Sequence, residues 1–287
     1  MKIGKWGLFE ISRESVKFSH IYGIADDPEL LTKVLPFGQP LGVSVKYVAV
    51  NEVIYFSYLK MNEEEGRGIV FAFDQEEKIP DNYLGFLPKM MTFLDSPPPK
   101  ASLEIEPQEI QAEPIQIRDF EIAIFSILGG LRTIILGEEG DIMKIISAIC
   151  LTTPYQMKTR LRFVSQSTSL SENVNIIGMP FSEEVLSELD GSKGKYTILI
   201  LGDRVYGQYS SKICKTTANL AKKGDFGSIK TLLEEFVQIA VESGDLPPAL
   251  DFANQTGLHL SDAQLALIIR AGVFGKKVPN GILDVGN

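Results

Sequence analysis

Residues 43–59 read VSVKYVAVNEVIYFSYL. Val, Ile, Tyr and Phe dominate the run, and such side chains fit a pleated surface better than a helix. Asn51-Glu52 interrupts it, so it reads as two strands, 43–50 and 53–59, joined by a turn. The flanking sequence extends the same sheet. Residues 5–11 and 16–24 are rich in β-branched and aromatic side chains, and Val16, Phe18, His20 and Tyr22 alternate with Lys17, Ser19 and Ile21. The polar SRES between them predicts a hairpin, and residues 69–74 supply a fifth strand.

Helices fall between these strands. In ADDPELLTKVL, Asp27 can accept from the orphan N–H groups of a helix start. Pro28 fits the first turn, where its missing donor costs nothing, and Pro36 and Gly38 end the helix. Residues 81–94 carry a Leu84, Leu87, Met91, Leu94 stripe, with Pro88 inside it imposing a kink or two short helices. The resulting order, β-β-α-β-β-β-α, predicts an α+β unit: an antiparallel five-strand sheet with helices on one side.

Residues 96–116 read as a Pro/Glu-rich linker, extended because proline removes donors; an edge strand at 101–105 is the alternative. Beyond it, an apolar helix at 120–128, a strand at 132–136, a helix at 141–151, a short helix at 154–159, strands at 161–165 and 175–178 and a helix at 182–189 predict an α/β layer. Strands at 195–201 and 205–209 flank Gly202-Asp203, a hairpin signal. From residue 212 onward only helices are expected, at 215–222, 229–242, 247–254 and 262–270, the last with a Ser261/Gln264 capping box. The predicted organisation is therefore 1–95, α+β; 96–116, linker; 117–211, α/β; and 212–287, helical.

Composition narrows the function. The chain has 287 residues, a net charge of -9, 2 cysteines and 2 histidines. An acidic balance argues against nucleic-acid partners, which need clustered Lys and Arg. Two cysteines exclude a disulfide-rich scaffold and a Cys-based zinc site. The most apolar stretches are broken by Arg132, Gly129-Gly130 and Pro154, so no membrane insertion is expected and a cytoplasmic setting is the default.

The familiar catalytic patterns are missing. DGSKGKY at 190–196 lacks the hydroxyl a P-loop sets on Mg²⁺ and precedes a strand rather than a helix, so it reads as a turn. His20 reads as a packed or half-exposed strand residue and His259 as a loop residue; Cys150 reads as inert core, and little would activate Cys214. Asn254-Gln255-Thr256 matches a glycosylation acceptor that a cytoplasmic protein does not use. The pairs Glu138-Glu139, Glu183-Glu184 and Glu234-Glu235 fall where solvated faces are expected. No cofactor and no metal are implied. The distinctive local feature is Glu63-Glu64-Glu65-Gly66-Arg67-Gly68, with an arginine between glycines on an expected flexible loop. Arg67 could reach a partner's phosphate as an arginine finger does, or it could pair with the glutamates beside it in a solvated loop.

The element order over residues 5–94 resembles a longin domain. Residues 120–137, followed by a helix and by Pro154-Tyr155-Gln156-Met157-Lys158-Thr159-Arg160-Leu161-Arg162-Phe163, resemble DENN-type modules and the N-terminal region of prokaryotic GTPase-associated proteins. The Gly66-Arg67-Gly68-Ile69-Val70-Phe71 stretch is similar to that family as well. The resemblance implies a longin-like α+β domain followed by a DENN-like α/β domain. It further implies a non-enzymatic regulator or scaffold that binds a small Ras-like GTPase, as an exchange or GTPase-activating factor. Glu65, Gly66, Arg67 and Gly68 are then the partner-binding candidates, with Arg67 the finger candidate. A structural subunit pairing with another longin or roadblock-type protein, as a homo- or heterodimer, is one alternative. An α/β enzyme with a small-molecule site near 136–141 is the other.

Overall fold

The computed structural model describes residues 2–12, 15–24, 27–35, 42–51, 53–62, 65–74, 83–98, 102–128, 132–158, 161–170, 173–190, 196–203, 205–206, 211–242, 265 and 269. The chain begins with strands β1 (Lys2–Ile3), β2 (Lys5–Ser12) and β3 (Val16–Tyr22), then helix α1 (Pro28–Val34). Strands β4 (Gly42–Val50), β5 (Val53–Met61) and β6 (Glu65–Asp74) follow. A 3-10 turn (Tyr83–Phe86) runs into α2 (Leu87–Asp95), so Pro88 falls in the first turn of a new helix instead of breaking an old one. Next come β7 (Leu103–Glu104), α3 (Ile117–Leu128), β8 (Thr133–Gly137), α4 (Glu139–Thr152), α5 (Tyr155–Lys158), β9 (Phe163–Val164) and β10 (Ile176–Pro180). The described elements end with α6 (Glu183–Asp190), β11 (Thr197–Ile200), β12 (Val205–Tyr206), α7 (Lys212–Lys222) and α8 (Phe226–Glu242).

These elements form two compact units, each discontinuous in sequence. The first holds Met1–Gln111, Ile134–Met143 and Thr159–Ser187; the second holds Ala112–Thr133, Lys144–Lys158 and Glu188–Asn287. In the first unit the strands β8-β10-β9-β4-β5-β6-β2-β3 share one sheet in that order. From β4 to β3 the pairing is antiparallel, and Asn51 turns the β4–β5 hairpin at φ 48°. β10 runs parallel to β9.

This corrects the expectation of a five-strand antiparallel longin-like sheet with helices on one side. The sheet is larger and mixed, an α/β arrangement. The far edge of β4 is occupied rather than free. β9 pairs with Lys46 and Tyr47, the Val45 N–H donates to Ser165 Oγ at 2.9 Å, and the Ser165 N–H donates back to Val45 O at 2.8 Å. The joining segment lies some 120 residues downstream of β4, and β9 is only two residues long, too short to carry a period.

Helices also cover both faces. In register across the sheet, Trp6, Phe71, Phe56, Tyr47 and Phe163 form an aromatic row on one face. Tyr83 stacks on Tyr47 at 4.6 Å between centroids and Phe86 stacks on Phe73 at 5.9 Å, so the 3-10 turn and α2 close that side. On the other face α1 buries Leu31, Val34 and Leu35 against Phe9, Val48, Tyr55, Leu59 and Val70. The end of α1 is tied down by two buried polar groups of the sheet: Lys46 Nζ donates to Leu35 O at 2.7 Å and Ser57 Oγ to Val34 O at 3.0 Å. These are the carbonyls a helix leaves without partners, and a cation there is also favoured by the helix dipole. Burial on both sides explains why residues 53–59 are a continuous apolar run instead of an alternating one.

Within the 96–116 segment a short strand forms, as in the alternative of an edge strand at 101–105. β7 pairs antiparallel with β1, Leu103 and Ile105 are buried, and the Gln108 N–H donates to Gly85 O at 3.0 Å. In the second unit α3 packs on α7, and the Phe120 ring of α3 meets the Phe226 ring at the start of α8 edge to face at 6.4 Å. The β11–β12 hairpin forms around Gly202 at φ 74°, as its Gly-Asp pair predicts. The helices expected at 247–254 and 262–270, the Ser261/Gln264 box, His259 and the Asn254 acceptor lie outside the described residues. Leu265 and Ile269, which are described, are helical and buried.

Candidate functional site

Arg67 sits inside β6, not on a loop. Its strand is paired on both sides, with Glu10 of β2 as one cross-strand neighbour and Lys60 of β5 as the other. The flanking glycines serve packing. A Cβ on Gly68 would fall on the Phe9 ring and on Tyr58 O, and one on Gly66 would fall on the Met61 sulfur. Both glycines are buried, whereas Glu65 and Arg67 on the opposite face are exposed. The stretch looked flexible because glycine is the usual turn residue; here glycine is the only residue that lets the ring of Phe9 cross the strand. Glu63 and Glu64 lie outside the described residues.

Arg67 belongs to a row of charges that crosses four strands: Lys17, Glu10, Arg67 and Lys60. Arg67 Nε lies 3.8 Å from Glu10 Oε1, with the two side chains 58% and 61% exposed, so this pair contributes little to stability. Among the described residues, neither Lys17 nor Lys60 makes an ion pair. Two shallow concavities flank Arg67. One, of about 280 Å³, lies between the row and α2 and is lined by Tyr58, Lys60, Arg67, Met91, Leu94 and Asp95 among others. The other, of about 290 Å³, lies toward Glu10, Ser12, Ser15 and Lys17. Met91 is a large apolar side chain left 49% exposed at the first of them. Burial, then the negative charges of Glu139 and Asp95, push the Tyr58 hydroxyl above its ordinary value.

The remaining sequence candidates are scattered. His20 is exposed on β3, opposite Leu8. Cys150 and Cys214 are buried, and the Cys214 N–H is held by the N-cap Ser211 at 3.2 Å. Glu138, Glu139, Glu183, Glu184 and Glu235 are exposed, as solvated faces require, and Glu234 pairs with Lys230 at 3.8 Å. The stretch at 136–141 joins the end of β8 to α4. Of residues 190–196, expected as a turn, 191–195 lie outside the described residues. Among the described residues no group of three His, Cys, Asp or Glu side chains is placed to hold a metal ion.

Lys46 and Asp119 are among the buried charged groups that the sequence pattern does not announce. Lys46 stands in an apolar run, with the Leu35 carbonyl at the end of α1 accepting from its ammonium. Asp119 in α3 is buried; desolvation raises its carboxyl above the ordinary 3.8, against the Gly202 N–H and the Arg118 guanidinium, which lower it. Arg118 itself donates to Asp203 O at 2.8 Å, so the start of α3 grips the β11–β12 turn. A charged residue inside an apolar pattern is the available signal for both.

The sequence matches no protein-family model and no curated protein. Among the described residues no helix is long and apolar enough to cross a membrane. The functional reading therefore rests on the exposed row around Arg67.

Proposed function

We propose that this chain is a non-enzymatic interaction module that binds a small Ras-like GTPase through the sheet surface around Arg67. The observation that carries the reading is the row of Lys17, Arg67 and Lys60, left exposed with a single 3.8 Å ion pair in a chain of net charge -9. Some other described cations sit closer to an acid, as Lys5 to Asp74 at 2.6 Å and Lys33 to Glu29 at 2.7 Å. A rigid strand presents such a row without the ordering cost that a loop pays on binding. The choice of a GTPase comes from the resemblance of the 5–94 element order and of the Gly66–Phe71 stretch, not from the size of the sheet.

Arg67 acts in this reading as a docking residue. A finger must extend into the partner's nucleotide site, and a side chain in mid-strand with two paired neighbours has only its own length to reach with. The test is binding of the full chain to Ras-like GTPases loaded with GDP or a non-hydrolysable GTP analogue. Saturable, nucleotide-dependent binding is expected, with hydrolysis by the bound GTPase unchanged in Arg67→Ala. Absence of saturable binding across the GTPases tried rejects the proposal; slowed hydrolysis in Arg67→Ala restores the finger.

A further inference from the structure

Arg67 and Lys60 are directly opposite each other on neighbouring antiparallel strands. Like charges so placed repel, and a sheet that needed only to fold would place an acid or a neutral residue at one of them. The row from Lys17 to Lys60 holds three cations and one carboxylate, Glu10, an excess of two positive charges. Glu65 and Asp95 line the adjoining concavity, yet neither forms an ion pair with Arg67 or Lys60 within 4 Å among the described residues. The repulsion thus persists in the free protein.

We propose that this row, with the concavity beside it, accepts a short partner segment in which an acidic residue stands next to a large apolar one. The inference rests on the proposed function for the existence of a protein partner and names that partner's contact chemistry. The carboxylate lies across Arg67 and Lys60, where the guanidinium supplies a planar two-donor fork and the ammonium a point charge. The apolar side chain enters the 280 Å³ concavity against Met91, Leu94 and Tyr58, a volume suited to one Leu, Met or Phe. Burial of Met91 then removes the exposed apolar surface that α2 presents. The acids on the rim select the ligand class. A polyphosphate, a nucleic acid or an anionic membrane would set several negative charges against Glu10, Glu65 and Asp95, whereas a single carboxylate avoids them.

The experiment uses the full chain and an array of eight-residue peptides with a central Leu, Met or Phe flanked by Glu in one set and by Lys in the other. Inorganic tripolyphosphate and phosphatidylserine vesicles serve as competitors. Retention of the Glu set over the Lys set is expected, weakening with salt. Arg67→Glu with Lys60→Glu should weaken it by at least about tenfold and shift preference toward the Lys set. Met91→Ala should weaken the Glu set while leaving its charge preference intact. These positions are exposed, so an unchanged far-UV spectrum and melting temperature show that the variants are folded. Equal retention of both sets, indifference to the charge reversal, or displacement by tripolyphosphate or vesicles at the concentration of the peptide overturns the inference. A Ras-like GTPase that binds the charge-reversed variant undiminished overturns both the inference and the docking surface of the proposed function, whereas equal retention of the two peptide sets with GTPase binding lost on charge reversal overturns the inference alone. Peptide binding through the row without GTPase binding supports it and removes the GTPase.

Discussion

Replacing Gly68 with alanine adds one methyl group to a strand paired on both edges. That methyl would approach Tyr58 O to 2.6 Å and Phe9 Cε2 to 2.6 Å, with a closer approach to the tip of the same ring. A backbone oxygen in a ladder cannot retreat, and the Phe9 ring is 1% exposed and packed edge to face on Phe18. Overpacking of this kind costs about 2 kcal/mol. A glycine on a flexible loop behaves oppositely, since alanine there stabilises by about 0.4–1 kcal/mol through the unfolded chain. The sign of the change therefore separates a packed strand from a solvated loop. Trp6 is the chain's sole tryptophan, is fully buried, and lies on β2 beside β6, so its fluorescence in urea reports on this sheet. With a slope of about 2 kcal/mol per molar, the midpoint should fall by about 1 M. Gly140→Ala is the control: nothing lies within 4 Å of its added Cβ, and helix propensity makes it neutral or stabilising by up to about 1 kcal/mol. An unchanged or higher midpoint for Gly68→Ala would refute the account of why these glycines are there.

Lys46→Ala should destabilise the same transition by about 3 kcal/mol, because it removes a buried stem and leaves the Leu35 carbonyl without its 2.7 Å donor; a loss below about 1 kcal/mol would mean α1 does not depend on this anchor. Asp119→Asn should stabilise at neutral pH. The folded-state pKa is raised by burial, so the carboxyl's contribution is complete below the ordinary value of 3.8 and is lost as pH rises through the higher folded value. Asparagine keeps an acceptor for Gly202 but never ionises, so the melting-temperature advantage of the variant should grow from pH 3 to pH 7. A variant that is less stable at pH 7 than at pH 3, relative to the parent, contradicts the sign.

Much of the first unit is visible in local pattern. The strands at 43–50 and 53–59 follow from β-branched and aromatic runs cut by Asn51, and the start of α1 follows from Asp27, whose carboxylate accepts the Glu29 N–H at 2.9 Å. What misled was the surroundings. Residues 53–59 do not alternate, which is itself the mark of a strand covered on both faces, yet helices were expected on one side alone. Residues 65–68 carry two glycines, and glycine reports only that a side chain is absent, not whether a turn or a neighbouring ring needs the space. The candidate site is split in the same way: Arg67 draws attention by its glycines, while Lys17 and Lys60 are unremarkable in sequence and gain meaning from register.

The order of elements, the acidic balance and the residue types available for chemistry are set by local preference and composition, which depend on the chain within a few turns of each residue. The extent of the sheet, the cover on its second face and the alignment of Lys17, Glu10, Arg67 and Lys60 depend on which strands meet and in what register. Those pairings join residues 7 to more than 100 positions apart, as in Lys60 with Arg67 and Tyr47 with Phe163. They are chosen by burial of the whole core at once, since a slip of one residue would turn each strand's apolar set to the wrong face.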